Sequence, residues 1–174
     1  MCSSDLAGDI AEAPRPLTAY VLMGLLGAIV GDDQVNFVNA PHLAEARGIG
    51  VASHKLARRA DYTEFAEVRV IGEKGTTRVA GVVLGEKYPR VVRIEDYHVD
   101  VVPQGSLLVL KNRDVPGVIG KVGTLLGSLG LNIAEYHQAR LAAGGDALAA
   151  VSIDGRVDAD ALKQITALPE ITDA

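Results

Sequence analysis

The chain has 174 residues, of which 48% are hydrophobic, and a formal net charge of -5. This length suits one ordinary domain or two small ones, and the hydrophobic content excludes a wholly disordered chain. The acidic balance argues against a general nucleic-acid role, since phosphate binding needs a basic face. Cys2 is the single cysteine, so we expect no disulfide framework, no zinc-type metal site and a reducing, cytoplasmic location.

The first part of the chain is dominated by an apolar segment. Residues 1–13 are interpreted as a loose lead-in. Pro14 and Pro16 then open a predicted helix that ends at Gly31. Its apolar run, residues 17–30, is too short to cross a bilayer core of about 30 Å. We therefore expect a buried helix and no membrane partner.

Strand patterns dominate the stretch that follows. The pattern predicts a short strand at residues 35–39 and a helix at residues 41–47, closed by Gly48. Strands are predicted at 67–71 and 77–84 around the hairpin loop 72–75, and at 90–94 and 98–102. Residues 103–105, Pro-Gln-Gly, break the pattern. We take this break as a domain boundary, with one domain at 14–104 and a second at 105–174.

The second domain alternates strands and helices in another order. A strand at 107–111 precedes apolar residues at helical spacing, and Gly130 ends that helix. Strands follow at 133–141 and 147–153, Asp158 caps a second helix, and a last strand begins near Ile171, where the chain stops. The apolar residues of the first helix are Val118, Ile119, Val122, Leu125, Leu126 and Leu129. This order, βαββαβ, predicts a ferredoxin-like fold and an α+β class for the chain.

Two segments carry a resemblance to known families. The run Asn112-Arg-Asp-Val-Pro-Gly, followed by Leu131-Asn-Ile, resembles the start of an ACT domain, an amino-acid-sensing module. The run Val35-Asn-Phe-Val-Asn-Ala-Pro resembles the intervening regulatory domain of long-form D-3-phosphoglycerate dehydrogenase. Together, residues 8–174 are similar to the C-terminal portion of that enzyme. The resemblance implies a regulatory part of a serine-biosynthesis enzyme.

Other functional interpretations stay open beside this one. A related pairing of domains occurs in iron-sulfur serine dehydratases, which makes that family an alternative. A free-standing ACT-type regulatory protein, which binds an amino acid and acts through another partner, is a further alternative. The sequence does not distinguish a detached fragment from a separately encoded chain.

We identify no catalytic residues in the sequence. The loop Gly48-Ile-Gly lacks the third glycine of a dinucleotide fingerprint and follows a helix, where the fingerprint would follow a strand. The loop Gly72-Glu-Lys-Gly lacks Walker spacing and is better explained as a hairpin turn. The resembled enzyme uses NAD, but this chain is expected to bind no cofactor and to be inactive alone.

The start of the second domain offers groups for a zwitterionic amino acid. Asp114 supplies a charged acceptor for an ammonium, and the following helix supplies unpaired N–H groups for a carboxylate. Asn112 and Asn132 each offer a donor and an acceptor. The alternative for Asp114 is a simple N-cap, and the alternative for Asn132 is a turn residue.

The ACT resemblance implies how these groups assemble. In such domains the ligand lies between two subunits. One subunit would supply Asn112, Asp114 and the backbone at Ile119 and Gly120, and the other would supply Asn132. The implied ligand is L-serine or another small amino acid, and the implied assembly is a homo-oligomer through the ACT domain.

A second set of residues is basic. Lys87, Arg90, Arg93 and His98 cluster around two predicted strands of the first domain, and the resemblance implies an anionic metabolite as ligand there. Strand parity predicts that Arg90 and Arg93 lie on opposite faces. A solvated sheet face is the alternative interpretation. His137 and Arg140 are interpreted as surface residues.

Overall fold

The computed structural model describes residues 1–56, 62, 64–73 and 75–174. They form an α+β chain with two compact units, Met1–Pro89 and Arg90–Ala174. The domain bounds 14–104 and 105–174 stay a prediction. Within the described ranges, every helix is too short or too polar to cross a membrane.

The sheet of the first unit is built on a strand that the sequence analysis missed. Its strands are β1 (Cys2–Ala7), β2 (Val51–Lys55), β3 (Glu64–Gly72) and β4 (Gly75–Leu84), in the order β2-β1-β3-β4. The prediction of a loose lead-in is wrong for β1, which is largely buried, parallel to β2 and antiparallel to β3. Its polar residues find partners within the sheet, as when Ser4 Oγ donates to Ser53 Oγ at 3.1 Å. The predicted β3–β4 hairpin is confirmed, and its turn residue Lys74 lies outside the described residues.

Two helices accompany this sheet, α1 (Pro14–Val30) and α2 (Ala40–Ala46). Both were predicted, and Gly48 follows α2 with a φ of 67°, a conformation that suits glycine. Leu22 and Leu26 of α1 pack with Ala40 and Ala44 in one core. The prediction of a buried helix is confirmed only in part, because Leu22 and Leu26 are buried but Tyr20 and Ile29 are both 63% exposed.

The strand predicted at residues 35–39 is wrong, because two asparagines fold this segment into a turn. Asn36 Oδ1 accepts hydrogen bonds from the N–H groups of Val38 and Asn39, at 2.9 and 3.0 Å. Asn39 Oδ1 in return accepts from the Asn36 N–H at 2.8 Å. These bonds consume the N–H groups that a sheet would need, as asparagine side chains commonly do in turns. We call this pair the asparagine clasp.

The elements of the second unit follow the order predicted for them. Asp158 Oδ1 accepts from the Ala161 N–H at 2.7 Å, so the predicted helix cap is confirmed. A hairpin precedes a sheet whose strands lie in the order β10-β7-β9-β8, with antiparallel neighbours. The elements are β5 (Tyr88–Ile94), β6 (Tyr97–Val101), β7 (Ser106–Arg113), α3 (Val118–Ser128), β8 (Asn132–Arg140), β9 (Asp146–Asp154), α4 (Ala159–Thr166) and β10 (Ile171–Asp173).

The sheet of the second unit separates two cores. Strand side chains alternate between faces, so Val151 of β9 packs with Leu126 of α3 and Ile165 of α4. Leu148 and Ala150 of the same strand belong to the other core, which includes Tyr97, Val99 and Val101 of the hairpin. Both faces of the sheet are therefore covered, by the helices on one side and by the hairpin on the other.

Candidate functional site

A cavity of about 430 Å³ lies where the chain leaves β7 and enters α3. Residues 114–120 line one side of it, and Gln138 and Arg140 of β8 line the other. Three of the predicted ligand-binding residues, Asp114, Ile119 and Gly120, are therefore brought together. The cavity is open to solvent on the Ile119 side, where that side chain is 51% exposed.

Asp114 is held in this cavity by the end of β8 and the loop after it. Its Oδ2 atom accepts from Arg140 Nη1 and from the Gly144 N–H, both at 3.1 Å. The Gly144 N–H, and then the Arg140 guanidinium, hold the pKa of this carboxyl below its ordinary value. Asp114 is therefore an ionised acceptor. The N-cap alternative is wrong, because Gly117 occupies that position and α3 has no side-chain cap.

The first turn of α3 presents backbone donors to the same cavity. Lys121 N–H donates to Gly117 O at 3.0 Å, and the N–H groups of residues 118–120 precede the first acceptor that the helix can offer. Gly117 has a φ of 90°, which a side chain would strain. A Cβ built on Gly117 or Gly120 would meet no atom within 4 Å, so open space adjoins this backbone. An anionic group can approach it closely.

Gln138 and Arg140 are site residues that the sequence analysis missed, since Arg140 was interpreted as a surface residue. Both share strand parity with Tyr136, which packs against the helix-side core. The hydroxyl of Tyr136 donates to Gln138 Oε1 over a long 3.4 Å, which leaves the amide NH₂ of Gln138 as the donor. The parity shared with Tyr136 could have placed both residues on the cavity side of β8. An irregularity between Ile133 and Glu135 shifts the register of β8, so strand parity counted from the start of β8 does not give this placement.

The cavity thus combines groups of complementary charge. A carboxylate can accept from an ammonium group, while a guanidinium, an amide and helix N–H groups can donate to a carboxylate. The partial positive charge at a helix N-terminus favours an anion at that end. This set of groups suits a small zwitterion.

The two predicted asparagines do not line the cavity of a single chain. Asn112 is buried in β7 and donates through Nδ2 to Arg113 O at 2.8 Å. Its Oδ1 atom is buried, and no described residue pairs with it. Asn132 Nδ2 donates to Asp154 Oδ2 at 2.7 Å, at the start of β8. Since about 3.3 Å separates successive strand residues, Asn132 is roughly 26 Å from Arg140 at the other end of β8.

The predicted basic set is partly rearranged by an irregularity in the pairing of β5 with β6. The register with β6 shifts between Val91 and Arg93, and Val91 and Ile94 both pack on the same hairpin core. Arg90 and Arg93 therefore share the opposite face, so the prediction that they lie on opposite faces is wrong.

The partners of the basic residues differ. Arg90 Nε lies 3.2 Å from Asp100 Oδ1, and Arg93 lies opposite His98 in the strand pairing. Lys87 Nζ lies 5.2 Å from the centre of the Tyr88 ring, in the first compact unit. The other three basic residues belong to the second unit, and the anion site stays a prediction.

Comparison with known proteins identifies the family. Residues 4–95, more than half of the chain, match the model of the D-3-phosphoglycerate dehydrogenase intervening domain. The chain belongs to this family. The resemblance drawn from the asparagine-rich segment is thereby confirmed, since residues 35–41 lie within the match.

Several D-3-phosphoglycerate dehydrogenases are similar to this chain over nearly its whole length. D-3-phosphoglycerate dehydrogenase of Synechocystis is 35% identical over 171 residues, which are 97% of this chain and 31% of the relative. The Bacillus subtilis protein of that name is 32% identical over 165 residues, 94% of this chain and 31% of the relative. The Methanocaldococcus jannaschii protein of that name is 30% identical over 168 residues, which are 96% of this chain and 32% of the relative. The chain thus spans about a third of these relatives.

Proposed function

We propose that this chain is the amino-acid-sensing regulatory part of a D-3-phosphoglycerate dehydrogenase of serine biosynthesis. Relatives with that name support the assignment to the enzyme. The succession β7-α3-β8-β9-α4-β10 supports a ferredoxin-like ACT domain in the second unit. We assign NAD binding and hydride transfer to the part of the relatives that this chain does not match.

The observation that carries the sensor proposal is the convergence of Asp114, Arg140 and the α3 N-terminus on one cavity. The ligand we propose is L-serine, a zwitterion of suitable size. Its ammonium group would donate to Asp114, and its carboxylate would accept from the helix N–H groups.

The proposed site is completed by a second subunit. Asn132 is too distant from the cavity of its own chain, so we assign it to the cavity of a partner across a twofold axis. We assign Asn112 to the same site, because its buried Oδ1 has no partner among the described residues. Both assignments require a dimer through the second unit.

Calorimetric titration with a panel of amino acids tests this function. We expect saturable binding of L-serine, and weaker or undetectable binding of larger amino acids such as leucine and phenylalanine. Asp114→Asn keeps the shape of the side chain but removes its charge, and should weaken serine binding about 10- to 100-fold. If no amino acid binds to the folded parent chain, the sensor function is refuted.

A further inference from the structure

The sequence analysis gave Arg140 no role in ligand binding. It ends β8, lines the cavity and contacts Asp114 Oδ2 through Nη1. A guanidinium has five N–H donors in a planar fork, and this contact consumes one of them. Its side chain is 60% exposed, so a small molecule in the cavity can reach the remaining donors.

The charges around the cavity favour a carboxylate as the second ligand group. Asp114 and Arg140 neutralise each other, and the α3 N-terminus adds partial positive charge. The Gln138 amide adds donors and no charge. A ligand with an ammonium group alone would satisfy Asp114 but would leave the donors without an acceptor.

We propose that Arg140 binds the carboxylate of the amino-acid ligand while its Nη1 atom keeps its contact with Asp114. This inference rests on the proposed function and adds the residue that selects α-amino acids over amines and amino amides. The guanidinium fork matches the two oxygens of a carboxylate, which a single helix N–H group cannot do.

The test compares two ligands in two variants. In mildly acidic buffer, L-serinamide keeps the ammonium group of L-serine and replaces the carboxylate with a neutral amide. The variants are Arg140→Gln and the matched control Arg156→Gln, which removes the same charge from an exposed position in the same unit. Calorimetry measures all affinities, and circular dichroism checks folding.

The proposal predicts that the parent and Arg156→Gln prefer L-serine over L-serinamide by about 10-fold or more. In Arg140→Gln this preference should fall several-fold, chiefly through weaker serine binding. Arg140→Lys keeps the charge but not the planar fork of donors and should give an intermediate preference. This variant replaces Arg140→Gln in the test if Arg140→Gln does not fold.

Two contrary outcomes have different meanings. If Arg140→Gln weakens both ligands by the same factor, or neither, Arg140 does not bind the carboxylate and the inference is wrong, while the sensor function stands. If the parent chain binds neither ligand, the proposed function fails and the inference fails with it.

Discussion

Asp114 connects two segments of the second unit through a single carboxylate oxygen. It precedes α3, and its Oδ2 atom accepts from Arg140 of β8 and from Gly144 of the following loop. Its pKa lies below the ordinary carboxyl value in the folded chain. The stabilisation from these bonds is therefore present above the ordinary pKa, and it is lost as pH falls through the lowered pKa.

This coupling gives a prediction at a single carboxyl group. In Arg140→Gln, the Asp114 pKa should rise toward its ordinary value without reaching it, because the Gly144 N–H, the larger cause, remains. Carbon-13 NMR of the carboxyl through an acid titration measures the midpoint, with Arg156→Gln as control. An Asp114 midpoint that does not change in Arg140→Gln would show that the ion pair does not form in solution.

The asparagine clasp gives a second prediction at residue scale. Asn36→Ala removes the acceptor for the Val38 and Asn39 N–H groups and should lower the free energy of unfolding by about 1 kcal/mol. Gln34→Ala is the matched control, because the described hydrogen bonds of Gln34 run through its backbone N–H and oxygen, which the variant keeps. Urea denaturation measures both. Equal stability of Asn36→Ala and Gln34→Ala would contradict the structural role of the clasp.

At the scale of elements, local chemistry explains what could be predicted. Prolines at the start of α1, apolar spacing in α3 and the Asp158 cap of α4 are signals carried by neighbouring residues, and all three helices form. Strands β1 and β2 pair with partners distant in the chain, and their polar residues gave no clear strand pattern in the sequence. The cavity residues at the start of α3 were predicted because neighbouring residues carry their signal. Gln138 and Arg140 could be assigned to the cavity only once the register of β8 was known.

The cap of α4 can be tested directly. Asp158→Ala removes the acceptor for the Ala161 N–H and should cost about 1 kcal/mol of stability. Asp160→Ala is the matched control, since Asp160 lies in the first turn of the same helix and forms an exposed pair with Lys163, and its effect should be smaller than that of Asp158→Ala. Thermal unfolding compares the two variants. A larger loss in Asp160→Ala than in Asp158→Ala would contradict the cap.

At the scale of the whole molecule, the edge of the second sheet suggests how chains assemble. Strand β8 is an edge strand of this sheet, and an unpaired edge can join the same edge of a second copy. Such a dimer agrees with the assignment of Asn132 to a partner's cavity. Sequence alone suggested an oligomer only through the ACT resemblance, since the order of the strands depends on tertiary pairing.

The dimer gives a prediction for sedimentation. We expect the parent chain to be dimeric at tens of micromolar and Ala134→Lys to dissociate it, because a charge on an exposed edge residue opposes edge pairing. Gln164→Lys adds the same charge to the exposed surface of α4 and should leave the dimer intact. A monomeric parent chain, or equal effects of the two variants, would contradict assembly through β8.

The central claim is that a small amino acid binds at the N-terminus of α3, and NMR of the nitrogen-15-labelled chain tests it most directly. On titration with L-serine, the backbone amide signals of residues 117–120 and of Gly144 should show the largest shifts and saturate together. Asp114→Asn should need a much higher serine concentration for the same shifts. Absence of shifts in the folded parent chain, or saturable shifts confined to the first unit, would contradict the claim.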